Sequence, residues 1–218
     1  GWEQAASQMG SPPTLYHVPG TISSPLVQLL QELGVGEVAV KTLSFPELKQ
    51  PEHLAINPMG TSPTFSCSDG CTHVWESSCI LTHLLEQYDT PGHKMHPRPG
   101  SKERIKFLQL QSFLLTTVYP SVASLFLHTL KPPEQQDPAF VSSGKDKWAH
   151  TLAPILATAL GDKPYLLGDE LSAVDLLLAK PLRNASSLGV LTAFPTLDAH
   201  LARIAARESY AVAYAIKQ

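Results

Sequence analysis

The segment from Ile56 to Phe65 carries two prolines and a glycine, and its residue types suit it to ligand binding. The Ser62–Pro63 bond lies at the entrance to a predicted strand, and an X-Pro bond is one of the few that can be cis. A cis bond would turn the backbone N–H and C=O of Ser62 away from their own sheet and toward a peptide-like ligand. The segment therefore predicts strand-like recognition of a short peptide, although a proline-bounded turn before a hairpin fits the same residues.

A second pair of polar residues, Glu76 and Ser77, follows this segment and stands at the start of a predicted helix. The carboxylate of Glu76 is an acceptor, and the hydroxyl of Ser77 is a donor at a helix N-terminus. Such a pair suits a ligand that carries both an ammonium group and a carboxylate.

The hydrophobic pattern around these residues predicts a small mixed sheet with helices on both faces. Four leucines between residues 26 and 33 have the spacing of an amphipathic helix, with Ser24 expected as its N-cap and Pro25 as its first helical residue. Because this helix joins two strands, we expect those strands to be parallel with a right-handed crossover. The predicted order β-α-β-α-β-β-α falls at residues 14–18, 25–33, 38–43, 47–56, 63–67, 72–75 and 77–88.

A stretch rich in Pro and Gly follows residue 88 and has the composition of a linker. Beyond it the pattern predicts helices alone, at about 101–130, 142–160, 172–189 and 196–209. The predicted fold class is therefore α+β followed by all-α. The predicted domains are a mixed domain at 13–89, a linker at 90–100 and an all-helical domain at 101–218.

Composition excludes several classes of function. The chain has 218 residues, of which 43% are hydrophobic and 16% charged, so it should fold around a sizeable core. A net charge of −3 without a basic patch predicts no nucleic-acid or membrane partner, and no apolar run approaches the roughly 18 residues of a membrane helix. Three cysteines and an opening segment, 1–12, without an apolar core predict a cytoplasmic protein. No metal site is predicted, because only His73 lies near Cys67 and Cys71.

Taken together, these features resemble the glutathione transferase superfamily of cytosolic type over nearly the whole chain from about residue 14. The N-terminal part resembles its thioredoxin-like domain and the C-terminal part its all-helical domain. Three segments carry the resemblance: residues 51–63, which end in Ser62-Pro63; the pair Glu76-Ser77; and residues 167–175, which end in a capping box. Their order and spacing around a Pro-rich linker make the joint pattern specific.

The resemblance implies which residues bind glutathione, the one co-substrate that we expect. Ser62 would bond the cysteinyl part through its backbone, with a cis bond to Pro63. Glu76 would pair with the α-ammonium group, and Ser77 would bond the α-carboxylate. Two further residues, Lys49 and Thr61, fall near the glycyl carboxylate and just before the backbone-binding position, respectively.

Catalysis in this family needs a donor that stabilises the glutathione thiolate, since a free thiol has a pKa of about 8.5 and is mostly protonated at neutral pH. By resemblance to the serine-type classes (theta, zeta and phi), Thr21 is the first candidate and Ser23 the second. The stretch also resembles the bacterial beta class, but Ile22 stands where that class has Cys and cannot donate. Tyr16 is better explained by the strand and Ser24 by helix capping.

The electrophile would bind between the loop at Val18 and the helix at 104–130. Phe113, Thr117, Tyr119 and Ser121 are the candidates to line this pocket, although an aromatic stripe at helical spacing also fits a core.

Three hypotheses follow. The first is a homodimeric glutathione transferase that acts in detoxification by attacking a small apolar electrophile. The second is a non-catalytic scaffold that still holds glutathione, which Thr rather than Ser at position 21 favours. The third is a specialised glutathione-dependent peroxidase, isomerase or lyase that differs in the second pocket.

Overall fold

The computed structural model describes residues 11–89, 92 and 94–215. Most of the opening segment 1–12 and part of the predicted linker 90–100 therefore lie outside the described residues. The described chain divides into two compact units: residues 11–89 with 212–215, and residues 92 and 94–211. The domain limits drawn from the sequence stay a prediction.

The first unit is built on a four-stranded sheet with the strand order β2-β1-β3-β4. Strand β1 is parallel to β2 and antiparallel to β3, and β3 is antiparallel to β4. This confirms the predicted small mixed sheet and the parallel first pair. The strands are β1 (Thr14–His17), β2 (Ala39–Thr42), β3 (Thr64–Ser66) and β4 (His73–Trp75). The helices between and after them are α1 (Ser24–Leu33), α2 (Pro51–Leu54) and α3 (Ser77–Tyr88), with a 3-10 turn at Glu47–Lys49.

Helix α1 begins one residue earlier than the sequence predicted. Ser23 occupies the N-cap position and Ser24 is already helical, so the assignment of Ser24 as the N-cap is wrong. The Ser24 hydroxyl instead accepts a hydrogen bond from the N–H of Gly20 at 3.0 Å. Pro25 is tolerated because the first turn of a helix needs no N–H donor. Gly34 ends the helix with a φ of 67°, a left-handed conformation that favours glycine.

The core of the first unit lies where α1 and α3 pack against each other and against the sheet. Each helix contributes a stripe of buried apolar side chains, which removes apolar surface from water at roughly 25 cal/mol per Å². The buried residues are Leu15 and Phe65 of the sheet, Leu26, Leu29 and Leu30 of α1, and Ile80, Leu81, Leu84 and Leu85 of α3. This core fixes the ends of the strands and helices that carry the site described below.

The second unit is helical, and the only bridge within its described residues joins Tyr165 to Gly168. Its helices are α4 (Lys102–Phe113), α5 (Tyr119–Thr129), α6 (Pro138–Lys147), α7 (Ala153–Leu160), α8 (Ala173–Ser187) and α9 (Pro195–Ala205). A further helix, α10 (Glu208–Tyr214), was not predicted, and its last residues belong to the first unit. Helix α6 begins before the predicted residue 142, because Asp137 caps it by accepting from the N–H of Ala139 at 2.9 Å.

Helices α4 and α5 are joined by a π-helical turn at Leu114–Val118 into one helix, Lys102–Thr129. By length and composition alone this helix could cross a membrane, since its most apolar window has a mean hydropathy of 1.4. The core helix of a soluble protein meets the same criteria, and one face of this helix is buried. The buried side chains recur every three or four residues, at Phe107, Leu110, Leu114, Val118, Val122 and Leu125.

Helix α8 begins at the predicted capping box. The Asp175 carboxylate accepts from the N–H of Ser172 at 2.9 Å and from the N–H of Leu166 at 2.7 Å. His200 packs 3.8 Å from the same carboxylate, and both side chains are fully buried. Burial raises the pKa of Asp175 and lowers the pKa of His200. These contacts support a structural role for the motif.

Candidate functional site

The strand register gathers several of the predicted residues at one end of the sheet. Tyr16 of β1 lies opposite Thr64 of β3, which lies opposite Trp75 of β4. The loop after β1, the segment before β3 and the start of α3 therefore meet at this end. A hydrogen bond of 3.2 Å from the N–H of Val18 to the Ser62 hydroxyl joins the first two of them. We call this end of the sheet the loop edge.

The Ser62–Pro63 peptide bond is cis, as predicted. Pro63 is buried and Ser62 is half-buried at the surface. Within the part of the chain that the structure describes, neither the N–H nor the C=O of Ser62 has a hydrogen-bond partner. Ser62 thus presents one backbone donor and one acceptor at the loop edge.

Buried polar side chains hold the loop that leads to Ser62. Asn57, which is fully buried, donates from Nδ2 to the carbonyl of Thr61 at 3.0 Å and to Oγ1 of Thr64 at 2.9 Å. The imidazole Nε2 of His53 lies 3.2 Å from the same carbonyl. At Gly60, which has a φ of 57°, a Cβ would lie 2.9 Å from the carbonyl oxygen of Leu48, so only glycine fits. Sequence reasoning did not identify these supports.

Glu76 has the one positive φ of a non-glycine residue among the described residues, with φ 87° and ψ 114°. Such a conformation costs about 1–3 kcal/mol and tends to occur where function requires it. Glu76 is the N-cap of the twelve-residue helix α3, and Ser77 is its first residue. Glu76 is exposed, and Ser77 is half-buried at the positive end of the helix dipole.

The two remaining predicted binding residues lie on the loop before Ser62. Lys49 is exposed and donates from Nζ to the carbonyl of Met59 at 3.2 Å. Thr61 is exposed, and its carbonyl is the acceptor for Asn57 and His53. The ammonium group of Lys49 is therefore held over the loop, within the same unit as Ser62.

The two hydroxyl groups proposed for catalysis lie within 2.8 Å of each other. Ser23 is fully buried, and its Oγ accepts from the N–H of Val18 at 3.2 Å. Thr21 is half-buried, and its Oγ1 lies 2.8 Å from the carbonyl oxygen of Val18. Of the pair, Thr21 is the residue that keeps exposed surface.

His17, which sequence reasoning did not connect with the site, forms the inner end of this network. Its Nδ1 lies 2.7 Å from Oγ of Ser23, and its side chain is 3% exposed. Burial lowers the pKa of His17 from 6.5 to about 4, against a smaller raising effect of a hydrogen bond to the backbone of Ala213. The imidazole is therefore neutral at neutral pH.

The residues predicted to line the electrophile pocket fall in both units. Val18 is buried with Leu43 and Leu48, so its side chain belongs to a core cluster. In the second unit, Phe113 and Tyr119 are half-buried at the ends of α4 and α5. Thr117 and Ser121 are half-buried in the π-helical turn and in α5, respectively. The pocket itself stays a prediction.

A cavity of about 330 Å³ in the first unit is lined by Tyr16 and His53 but by none of the residues proposed to bind glutathione or to stabilise its thiolate. Charged and polar side chains line much of it, including Lys41, Glu47 and Glu52. Among the described residues, no group of three His, Cys, Asp or Glu is placed to hold a metal ion. The three cysteines are free, and burial raises the pKa of the Cys67 thiol.

Comparisons with known proteins agree with this architecture. The family profile "Glutathione S-transferase, C-terminal domain" matches residues 118–208. Glutathione S-transferase D6 of Drosophila melanogaster is 26% identical over 190 residues, which are 84% of this chain and 83% of that protein.

Two solved structures share the fold. The ternary complex of BphK, a bacterial glutathione transferase, has a TM-score of 0.77 at 27% identity and covers 92% of this chain and 97% of its own. The glutathione transferase URE2P6 of Phanerochaete chrysosporium, in complex with oxidized glutathione, has a TM-score of 0.81 at 22% identity and covers 94% and 96%. The thioredoxin-like sheet followed by helices, the matched profile and these relatives all show that the chain is similar to proteins of the glutathione transferase superfamily.

Proposed function

We propose that this chain is a glutathione transferase, which binds glutathione at the loop edge and directs its thiolate at a small apolar electrophile. Relatives named glutathione S-transferase support this activity, and the structural neighbour from Phanerochaete chrysosporium contains oxidized glutathione. The single observation that carries the proposal is that the loop edge presents two features suited to a peptide ligand. The backbone groups of Ser62 are unpartnered among the described residues, and the backbone of Glu76 at the start of α3 is strained.

The peptide would bind as a short added strand. Ser62, preceded by Thr61 and followed by cis Pro63, would exchange backbone hydrogen bonds with the cysteinyl residue. Glu76 would accept from the α-ammonium group, while Ser77 and the N-terminus of α3 would hold the α-carboxylate. Lys49 would exchange its bond with the loop carbonyl for the glycyl carboxylate.

The thiol would then lie near the loop after β1. Thr21 would donate its hydroxyl hydrogen to the thiolate sulfur, and the thiol proton would leave to solvent. A hydrogen bond to a charged group contributes about 1.5–3 kcal/mol, which is enough to lower the thiol pKa by roughly one to two units. The sulfur would form its new bond to an electrophilic carbon as the bond from that carbon to a leaving group breaks, and the leaving group would depart with the bonding electron pair. Val18, Phe113, Thr117 and Tyr119 stay the candidates from the sequence for contact with the electrophile.

The location, the oligomeric state and the biological role of the protein are part of the same proposal. We expect a cytoplasmic homodimer that acts in detoxification, in keeping with the resemblance to the cytosolic enzymes. We expect glutathione as the co-substrate and no resident metal.

One observation favours a second candidate, a scaffold that binds glutathione without activating it. The hydroxyl hydrogen of Thr21 already has two internal acceptors at 2.8 Å, the Val18 carbonyl and Oγ of Ser23. If that hydrogen stays inside, the bound thiol keeps its proton.

Calorimetric titration with glutathione tests the binding site. We expect Ser77→Ala to weaken binding by about tenfold or more, because a hydrogen bond to a carboxylate is lost. Ser78→Ala, one residue further along the same helix, is the matched control and should bind like the parent chain. Equal affinities for the two variants would contradict the assignment of Ser77.

A further inference from the structure

A buried hydrogen-bonded chain runs from the loop edge to the C-terminal helix. It passes from Oγ1 of Thr21 to Oγ of Ser23 at 2.8 Å and on to Nδ1 of His17 at 2.7 Å. The imidazole also bonds the backbone of Ala213 in α10, a residue with no exposed surface. All four residues belong to the first unit.

The direction of each hydrogen bond follows from counting donors and acceptors. The bond to Ala213 raises the pKa of His17, so the imidazole donates there, to a carbonyl. In the neutral imidazole only one nitrogen carries hydrogen, so Nδ1 must accept the hydrogen of Ser23. Oγ of Ser23 then has only lone pairs left, which accept from the N–H of Val18 and from Thr21.

This arrangement leaves the hydrogen of Thr21 free to turn outward at little cost. If Thr21 redirects its hydrogen to a thiolate, Oγ of Ser23 still accepts from the N–H of Val18 at 3.2 Å. The Val18 carbonyl still accepts from the N–H of Thr21 at 3.2 Å. No buried group loses its last partner, and such a loss would otherwise cost about 1–3 kcal/mol.

We propose that His17, anchored on α10 at Ala213, is a positioning residue that acts through Ser23 to hold the Thr21 hydroxyl where it can donate to the glutathione thiolate. The inference rests on the proposed function. Without the Nδ1 acceptor, the buried hydrogen of Ser23 must go to the Val18 carbonyl at 3.1 Å or to Thr21. Both groups now hold Thr21, so its hydroxyl would lose its single orientation.

Two amide substitutions distinguish the contributions of the two imidazole nitrogens of His17. In His17→Asn the amide oxygen lies near the position of Nδ1 and can still accept from Ser23. In His17→Gln the amide reaches the position of Nε2, so it can bond Ala213 but not Ser23. His73→Gln is the matched control, because His73 makes a similar Nδ1 contact of 2.8 Å with a serine, Ser66, elsewhere in the same unit.

The experiment measures the ultraviolet thiolate absorbance of glutathione bound to each full-length variant as a function of pH, together with kcat and the KM for glutathione. We expect His17→Gln to raise the thiol pKa by about one unit and to lower kcat while KM stays unchanged, since one hydrogen bond to the charged sulfur is weakened. His17→Asn should restore most of the effect, and His73→Gln should match the parent chain. The imidazole ¹⁵N resonances of His17 should show Nε2 protonated and Nδ1 unprotonated.

Two outcomes would overturn the inference, and they differ from each other. If the parent chain forms the thiolate and His17→Gln forms it equally well, His17 does not position Thr21 and the proposed function stands. If the parent chain binds glutathione without forming the thiolate, the proposed function fails and the inference fails with it.

Discussion

Exposure distinguishes the two hydroxyl groups at the start of α1. Ser23 is fully buried and bonded to His17, whereas Thr21 is half-buried at the surface. A side chain must reach the sulfur to stabilise it, so the two residues should respond differently to substitution. Thr21 is expected to affect chemistry, and Ser23 stability.

We expect Thr21→Val to lower kcat by roughly 10- to 100-fold, since it removes one hydrogen bond to a charged atom, while affinity for glutathione changes little. Ser23→Ala should lower the free energy of unfolding by about 1–3 kcal/mol, because His17 loses a buried partner. Steady-state kinetics and urea denaturation check the two variants. Normal turnover by Thr21→Val would move the catalytic assignment away from this residue.

Because the backbone of Glu76 is strained, replacing this residue should change the stability of the fold and the affinity for glutathione in opposite directions. Glu76→Gly should raise the free energy of unfolding by about 1 kcal/mol, since glycine tolerates a positive φ, and should weaken glutathione binding through loss of the carboxylate. Glu76→Gln keeps the strain and removes the charge, so it should weaken binding without stabilising the fold. A gain in both stability and affinity for Glu76→Gly would show that the strained carboxylate has no part in binding.

The sequence predicted most residues of the loop edge but not how they are held. Residue types indicate a possible cis bond at Pro63 and a polar pair at Glu76-Ser77, because both features depend on local chemistry. The positive φ of Glu76 and the contact between His17 and Ser23 depend on tertiary packing. The spacing of residues in the sequence predicts neither this φ nor this contact.

At the scale of elements, the loop between α2 and β3 must keep one shape to present Ser62. Its shape depends on Gly60, where an added Cβ would clash with the Leu48 carbonyl at 2.9 Å. Gly34, at the end of α1, has a similar φ of 67° but open space around it. The two glycines therefore separate backbone strain from steric clash.

We expect Gly34→Ala to lower the free energy of unfolding by about 1–2 kcal/mol, the cost of a left-handed conformation for alanine. Gly60→Ala should cost more and should also weaken glutathione binding, because the loop must shift. Denaturation and calorimetry on both variants give the comparison. Equal losses of stability with unchanged affinity would mean that the loop adapts without moving Ser62.

The bounds of elements were predicted less well than their order. Helix α1 starts at Ser24 with Ser23 as its N-cap, because the hydroxyl of Ser24 bonds Gly20 instead of capping. Helix α10 was missed, since its seven residues are too few to show a clear hydrophobic period. Order depends on patterns over many residues, whereas an end depends on one or two hydrogen bonds.

At the scale of the whole molecule, buried His17 makes stability depend on pH. Its pKa falls from 6.5 to about 4 on folding, so the unfolded chain binds more protons between these values. The free energy of unfolding should therefore be highest above pH 6.5 and fall by about 3 kcal/mol as the pH approaches 4.

Urea denaturation across this range, on the parent chain and on His17→Phe, isolates the contribution of His17. The pair Asp175–His200 is present in both proteins, so its own pH dependence cancels in the difference. We expect the free energy of unfolding of the parent chain to fall relative to that of His17→Phe as the pH decreases from 6.5 toward 4, because only the parent chain has to protonate a buried imidazole. A difference that is constant with pH would mean that His17 titrates normally in the folded chain.

The most direct test of the account is the ultraviolet thiolate absorbance of glutathione bound to the parent chain at neutral pH, with S-methylglutathione as the blank. We predict binding together with a thiolate signal and a thiol pKa below the free value of about 8.5. The same titration on Thr21→Val should show binding with a weaker signal. Binding to the parent chain without any thiolate signal would contradict the account and favour a scaffold that holds glutathione without activating it.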